Sequence, residues 1–478
     1  MAQESLTPRL AAFIASADFA DLPASTADKA AAAILDTLAV LVAGGGEAPV
    51  TLLDAALDPA GQGGIASPWS GKSLSPEDAA LLYGMASHIL DYDDVCMLGV
   101  CHPSAPILSA LLAALPQAAA QGPVSGARLQ LAFCVGTEVM TRIGEGLGFR
   151  PYALGFHTTA ILGTLGAAAA VAKLRGMAAQ PAAHALAIAA SMAAGLRKNF
   201  GSMVKPLHVG LAAQNGVRAA RLAAAGITGS AEPFEADAFL QAYSGGETDI
   251  WPGGIRFGAP FSIESPGFSQ KLFPCCYMLH KMIAATLELR ARTPCTPEQL
   301  ARAVVHMPKG GGAPLIHPRP RTGLHAKFSA PYAILASLLD GRIGLESFTD
   351  AAVMRPAIQT RLADVELVES DTAPLQGSDI DQPVTVTLTL RDGSVLTHTV
   401  EHAPGAAASP LTRAQLGAKW TDCLRHGHPA LTQPQAEKFF AEGCRLAEMA
   451  DVSGWLGAVL NPARTIISNP RPKETRHG

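Results

Sequence analysis

The sequence is poor in charged and in aromatic residues. Charged side chains make up 16% of the 478 residues and aromatic side chains 5%, whereas an average soluble protein has about 25% charged residues. The 36 basic and 40 acidic residues leave a net charge of −4. The chain therefore lacks the basic field that attracts nucleic acids or anionic membranes, and we expect neither as a partner.

Several common site motifs are also absent. None of the eight cysteines stands in a CxxC pair, which excludes the usual zinc and iron–sulfur ligand arrays. The sequence has no Walker A motif and no G-x-S-x-G motif, so it predicts neither a P-loop nor the serine nucleophile of an α/β-hydrolase. Gly310-Gly311-Gly312 lacks the spacing of a dinucleotide fingerprint.

No secretory signal is visible, because MAQESLTPRLAAF has no basic stretch followed by a long apolar run. Residues 158–174 and 182–196 are nearly uncharged, but they are rich in Ala and Gly rather than in Leu and Ile. We interpret them as buried helices and not as membrane spans. The sequence thus predicts a cytoplasmic protein.

Helical spacing dominates the first 300 residues. Ser75-Pro76-Glu77-Asp78 is typical of a helix start. Residues 383–390 then alternate with period two, Asp392-Gly393 indicates a hairpin turn, and residues 395–400 form the returning strand. We predict a mainly α fold with four parts: a large helical domain (1–274), a smaller α+β lid domain (275–405), C-terminal helices that return to the helical domain (406–468) and a flexible tail (469–478).

Five polar residues occur at or just before predicted helix N-termini: His102, His157, Lys205, Lys271 and Tyr332. The free N–H groups and the dipole of a helix N-terminus favour an anion and keep a nearby histidine neutral. If these helix ends converge, they form a pocket for a carboxylate with bases and an acid within reach. Each residue alone is also compatible with a solvated surface position.

Asp91-Tyr92-Asp93-Asp94 is an acidic cluster at the predicted end of the helix 76–90. Acids are unfavourable at a helix C-terminus, so the cluster indicates a general base, a partner for His102, or a solvated loop. It lacks the spacing and the glycine of a calcium loop, and the sequence predicts no metal site.

Other candidates leave alternatives open. Cys275 and Cys276 are either a nucleophile pair or, more often for such a pattern, part of a core at the start of a predicted helix 275–291. His280 is either catalytic or a buried, hydrogen-bonded histidine. His325 and Lys327 either reach a pocket or face solvent.

These residues lie in motifs that resemble those of the MmgE/PrpD family, which contains 2-methylcitrate dehydratase, cis-aconitate decarboxylase and iminodisuccinate epimerase. The resemblance spans about residues 5 to 460. The matching segments are, in family order, residues 90–94 through His102-Pro103-Ser104, Gly155-Phe156-His157-Thr158-Thr159, Lys205-Pro206-Leu207-His208-Val209-Gly210, Lys271-Leu272-Phe273-Pro274-Cys275-Cys276 with His280, and Tyr332 before Leu338-Leu339-Asp340-Gly341.

The resemblance implies a helical domain with a lid, a homodimer, no cofactor for catalysis, and a pocket between the two domains. The residues that it marks as catalytic are Asp91, His102, His157, Lys205 and Tyr332. Those that we assign to substrate binding are Lys271, His280, Tyr152, His208 and Cys276, with His208 expected to stand one helical turn behind the site.

The chemistry shared by the family removes a proton or CO2 from a carbon next to a carboxylate, on which negative charge then develops. We expect a hydro-lyase acting on a small di- or tricarboxylate. The alternatives are an epimerase or isomerase of a dicarboxylate, a cis-aconitate decarboxylase-like enzyme, and a non-catalytic helical ligand-binding scaffold. Val95 and Cys276 depart from the decarboxylase pattern, which has a threonine and a histidine near these places.

Overall fold

The computed structural model describes residues 5–61, 63–235, 238–247, 256–371 and 382–461. The predicted tail 469–478 lies outside these residues. Helices form most of the described chain and one small mixed sheet lies in its second half, which confirms the predicted mainly α fold.

The helices of the first half follow one another with short connections. Ser75 caps one of them, since its side chain accepts a hydrogen bond from the Asp78 N–H (3.1 Å). The longer helices in this half are Leu6–Ser16, Ala24–Gly44, Ala48–Ala56, Pro76–His88, Ser104–Ala119, Gly126–Leu147, Thr158–Leu174, Ala179–Met192 and Val204–Ala224.

In the second half, the longer helices are His280–Arg292, Ala330–Asp340, Arg413–Gly427, Gln433–Gly443 and Ser453–Leu460. Short helices of four to six residues occur in both halves of the chain. They are Arg150–Ala153, Phe239–Ser244, Gly323–Ala326, Asp350–Val353 and Pro356–Gln359. The helix predicted over 275–291 begins only at His280, because residues 277–279 form a 3₁₀ turn and the backbone of Cys276 is not helical.

The described strands form two sheets. Strands β1 (Ile65–Ala66) and β2 (Ser73–Leu74) form a two-stranded ribbon, and the main sheet consists of β3 (Leu300–Met307), β4 (Val365–Glu369), β5 (Val384–Leu390) and β6 (Val395–Val400). The order of the strands in the main sheet is β4-β3-β5-β6. β3 pairs in parallel with β4 and antiparallel with β5. The hairpin predicted at Asp392-Gly393 joins β5 and β6, which pair from Val384 with Val400 to Thr389 with Val395.

The described residues form two large hydrophobic cores and one small cluster that includes Val95 and Tyr277. The larger core includes the helices of the first half and side chains of the C-terminal helices, such as Trp420 and Leu456. The smaller core runs from Phe273 to Leu390 and joins the sheet to the helices His280–Arg292 and Ala330–Asp340. The domain boundaries placed at residues 274, 405 and 468 stay predictions.

Two helices of the larger core approach each other closely enough to position the site. A Cβ on Gly84 would lie 2.6 Å from the Cα of Gly210, so only glycine allows the helices Pro76–His88 and Val204–Ala224 to touch through their backbones. This contact brings the end of the first helix toward the first turn of the second, where Lys205 lies.

No single helix among the described residues is both long and apolar enough to cross a membrane. The helices Ala24–Gly44 and Ala48–Ala56 pass the length and composition test only when they are joined, and they are bent by 80° at their break.

Candidate active site

A cavity is lined by residues from both halves of the chain. Its polar lining includes Asp91, His102, His157 and Lys205. His157 is the N-cap of the helix Thr158–Leu174, and Lys205 lies in the first turn of Val204–Ala224. The structure therefore brings together three of the helix starts that the sequence singles out, over a separation of about a hundred residues.

Asp91 is the anionic centre of this cavity. Its Oδ2 lies 3.0 Å from the Lys205 Nζ, and its Oδ1 forms an ion pair with Lys271. Burial by itself would raise the pKa of Asp91, but the two lysines outweigh it and hold that pKa well below its usual range. The Asp91 backbone has a φ of 51°, a left-handed conformation that costs energy and persists only where the surroundings enforce it.

Three buried lysines enforce that conformation. They donate hydrogen bonds to three consecutive carbonyl groups, and we name them the lysine collar: Lys327 to Leu90 (2.7 Å), Lys271 to Asp91 (2.9 Å) and Lys419 to Tyr92 (2.8 Å). Each lysine comes from a different segment of the second half of the chain. The collar thus supplies hydrogen-bond partners to the carbonyl groups of a buried loop, which lie outside any regular secondary structure.

Lys419 and Lys327 have further partners that explain their burial. Lys419 also donates to the Lys271 carbonyl (2.8 Å) and lies 2.7 Å from the Asp36 Oδ1. Lys327 also donates to the Pro274 carbonyl (2.8 Å), and burial lowers its pKa to about 8.

Asp93 holds two histidines. Both of its oxygens lie 2.8 Å from the His88 Nδ1, and its Oδ2 lies 3.3 Å from the His102 Nδ1. Burial favours the neutral carboxyl, but the two histidines dominate and keep the pKa of Asp93 well below its usual range. Burial also lowers the pKa of His88 to about 3 and that of His102 below its ordinary value, although Asp93 opposes both shifts. Among the cavity-lining histidines, His102 is the one that has a carboxylate beside it.

His157 has a different environment. Its Nδ1 lies 3.2 Å from the Nδ1 of His208, so one ring donates and the other accepts. Burial, and then the charge of Lys205, depress the pKa of His157 well below its ordinary value. His157 is therefore held neutral, and it can donate or accept a hydrogen bond without carrying a charge.

The loop before His102 is fixed against the helix Thr158–Leu174. The Thr158 hydroxyl donates to the Val100 carbonyl, and the His102 N–H donates to the Thr159 Oγ1 (3.1 Å). Val100 has a φ of 51°, which is strained for a β-branched residue. Such strain next to a cavity is typical of a functional loop.

Tyr152 and Cys276 also line the cavity. Burial raises the pKa of Tyr152 to about 12 and that of Cys276 to about 11. Both groups are therefore neutral at physiological pH. Burial also raises the pKa of Cys275 well above its usual range, so neither thiol has the thiolate character of a cysteine nucleophile.

Four residues offer ligand atoms that lie within 4.8 Å of one another: His88, Asp91, Asp93 and His102. Their donor set of carboxylates and imidazoles suits a divalent cation. However, both Asp91 oxygens already face lysine ammonium groups, and Asp93 already binds both histidines. The cluster is charge-balanced by protein groups, and independence from metal stays a prediction.

Comparison with known proteins assigns the chain to a family. The profile of the MmgE/PrpD N-terminal domain matches residues 8–250, and that of the MmgE/PrpD C-terminal domain matches residues 273–440. The chain belongs to the MmgE/PrpD family. This confirms the resemblance that the sequence motifs indicate.

Relatives within the MmgE/PrpD family include three cis-aconitate decarboxylases. The human protein is 31% identical over 360 residues, covering 73% of this chain and 72% of its own. The mouse protein is 31% identical, covering 73% and 71% of the two chains. The Aspergillus terreus protein is 28% identical, covering 70% and 72%.

Four of the residues predicted for this MmgE/PrpD site do not line the cavity. Lys271 is fully buried and reaches Asp91 instead, and His208 lies behind His157. His280 is buried with its ring centroid 5.2 Å from that of Phe273. Tyr332 directs its hydroxyl to the Ser347 carbonyl, because its side chain belongs to the smaller core. The catalytic role assigned to Tyr332 therefore has no support from its position.

Sequence reasoning missed His88 and Lys419 and left Lys327 undecided. His88 ends the helix Pro76–His88, five residues before Asp93, and a lone histidine in an apolar helix beside an acidic cluster was an available signal. Lys419 carried no such signal, because a lysine on an amphipathic helix is ordinarily solvated.

Proposed function

We propose that the protein is a cofactor-independent lyase that decarboxylates a small unsaturated carboxylic acid. The observation that carries this proposal is the convergence of Lys205, His102 and His157 on one cavity, with Asp91 paired to Lys205. The relatives named cis-aconitate decarboxylases support decarboxylation over the hydro-lyase reaction.

In the proposed mechanism, Lys205 binds the carboxylate that the product retains. Its Nζ is also flanked by the rings of Phe200 and Phe328, at 5.3 and 5.2 Å from their centroids. These rings exclude water, which strengthens the attraction between the ammonium and the charge that develops on the substrate carboxylate.

His102 is the proton donor in this mechanism. The Asp93 carboxylate, 3.3 Å from its Nδ1, stabilises the imidazolium form. His157 is the neutral partner: it orients the substrate by a hydrogen bond and does not compete with Lys205 for the carboxylate. This division of roles follows from the presence of an acid beside one histidine and its absence beside the other among the described contacts.

A hydro-lyase is the second candidate, because the His102–Asp93 pair could equally protonate a leaving hydroxyl group. An epimerase and a binding scaffold remain formal alternatives. The homodimer and the cytoplasmic location also stay predictions.

The test is incubation of the purified protein with unsaturated and hydroxylated carboxylic acids in D2O, followed by NMR and CO2 detection. Decarboxylation releases CO2 and places deuterium on the product carbon. Release of water gives a new alkene without CO2, and epimerisation gives deuterium at a stereocentre without a new product. Absence of any change with every acid would contradict an enzymatic function.

A further inference from the structure

Much of the cavity wall is apolar. It includes the side chains of Val95, Met97, Phe149 and Met278. Among the described residues that line the cavity, Lys205 is the sole lysine or arginine. A substrate therefore finds one lysine and a largely hydrocarbon surface.

Lys205 is the cation of its ion-pair network that meets the cavity. It pairs with Asp91, which also pairs with Lys271. Lys271 is fully buried and does not line the cavity. A substrate carboxylate can therefore contact Lys205 but not Lys271.

His102 loses its positive charge when it donates its proton, and the remaining polar side chains of the described lining offer no cation to a second carboxylate that persists in the product. Tyr152 and Cys276 are uncharged, and the Thr158 hydroxyl donates its hydrogen to the Val100 carbonyl. A carboxylate that leaves as CO2 tolerates such surroundings, because its charge disappears from it during the reaction. A carboxylate that persists from substrate to product would remain buried without a charged partner, which is costly.

We propose that the substrate is an unsaturated dicarboxylate that carries an alkyl group where cis-aconitate carries its central carboxylate. This inference rests on the proposed decarboxylase function. The retained carboxylate lies at Lys205, the departing carboxylate lies near Tyr152 and Cys276, and the alkyl group packs against Val95 and its apolar neighbours.

The reaction balances with one proton. The bond between the CH2 carbon and the departing carboxylate breaks, and its electron pair forms a new C=C bond. The electron pair of the original C=C bond moves toward the carbon next to the carboxylate at Lys205. That carbon takes a proton from His102, and His102 then takes up a new proton from solvent. The dianion and one proton thus give CO2 and a monoanion.

A binding experiment tests the substrate class independently of the reaction. The probes are 3-methylglutarate and tricarballylate, two saturated acids that differ only in having a methyl group or a carboxylate on the central carbon. By isothermal titration calorimetry at pH 7.5, we expect 3-methylglutarate to bind at least about tenfold more tightly. Equal or tighter binding of tricarballylate, or no binding of 3-methylglutarate, overturns the inference.

The substitution Val95→Thr tests the apolar wall, because it exchanges a methyl group for a hydroxyl group with little change in shape. We expect the preference for 3-methylglutarate over tricarballylate, measured as the ratio of their dissociation constants, to fall by about threefold or more in this variant. The control is Val395→Thr, the same exchange at an exposed position of β6, which should leave the ratio unchanged. An unchanged ratio in Val95→Thr contradicts the proposed contact with the alkyl group.

Turnover separates this inference from the proposed function. The matched reactive acids are 3-methylglutaconate and cis-aconitate. If 3-methylglutarate binds more tightly but 3-methylglutaconate releases no CO2, the substrate class is supported and the decarboxylase function fails. If cis-aconitate releases CO2 with the higher kcat/KM, the function is supported and the substrate class fails.

Discussion

Lys419 offers a test of the lysine collar that needs no substrate. Its side chain is 1% exposed, and its Nζ lies 2.7 Å from Asp36, whose side chain is fully buried. It also donates to the carbonyls of Tyr92 and Lys271. The substitution Lys419→Met keeps the length and apolar stem of the side chain and removes all three interactions. Removing one partner of a buried ion pair costs about 3–5 kcal/mol, and we expect a loss of unfolding free energy in that range.

The assay is urea unfolding followed by circular dichroism. The matched control is Lys438→Met, which removes an exposed lysine 3.8 Å from Glu442 and should change stability by less than about 0.5 kcal/mol. The double substitution Asp36→Asn/Lys419→Met removes both charges, so it should recover part of the loss. A single Lys419→Met variant within about 1 kcal/mol of the wild type, or a double variant no more stable than the single one, would refute the reasoning.

The loss of unfolding free energy in Lys419→Met should depend on pH in a defined direction. Burial raises the pKa of Asp36, and Lys419 opposes that shift, so removal of the lysine raises the pKa further. A carboxyl group whose folded pKa is raised contributes stability below its unfolded pKa of about 4 and loses it as the pH rises through the folded pKa. The deficit of Lys419→Met should therefore be small in acid and grow toward neutral pH.

Four further predictions concern the site. His102→Ala and His157→Ala should each lower kcat by about 10²–10⁴-fold with little change in Tm, measured as CO2 release and by thermal unfolding; full activity in both variants would contradict the mechanism. Tyr332→Phe should keep kcat within about twofold of the wild type, because its hydroxyl faces the Ser347 carbonyl and not the cavity. Burial lowers the pKa of His102, so kcat should rise as the pH falls from about 8 toward about 6 if His102 donates the proton as imidazolium; a loss of rate over that interval would exclude this role. Treatment with EDTA should leave activity unchanged, and an activity-restoring metal would show that the four-residue cluster of histidines and aspartates binds a cation.

The sequence by itself determined the fold class, the order of the helices and the family. Helix starts such as Ser75 depend on local interactions, because a capping side chain and its N–H partner lie three residues apart in the sequence. The β5–β6 hairpin is equally local, since period-two alternation and Asp392-Gly393 specify it. Motif order around His157 and Lys205 identified the family for a similar reason: these residues stand in short contiguous segments.

Only the tertiary structure decided which polar groups meet. Lys271 and Lys327 resemble cavity residues in the sequence, yet they donate to the carbonyl groups of Asp91 and Leu90, which lie 180 and 237 residues away along the chain. Tyr332 turns into the smaller core, although its helix start is like that of His157. The physical reason is that side-chain spacing along one helix fixes a direction relative to that helix alone. Whether that direction leads to a cavity, a carbonyl or a core depends on how distant helices pack.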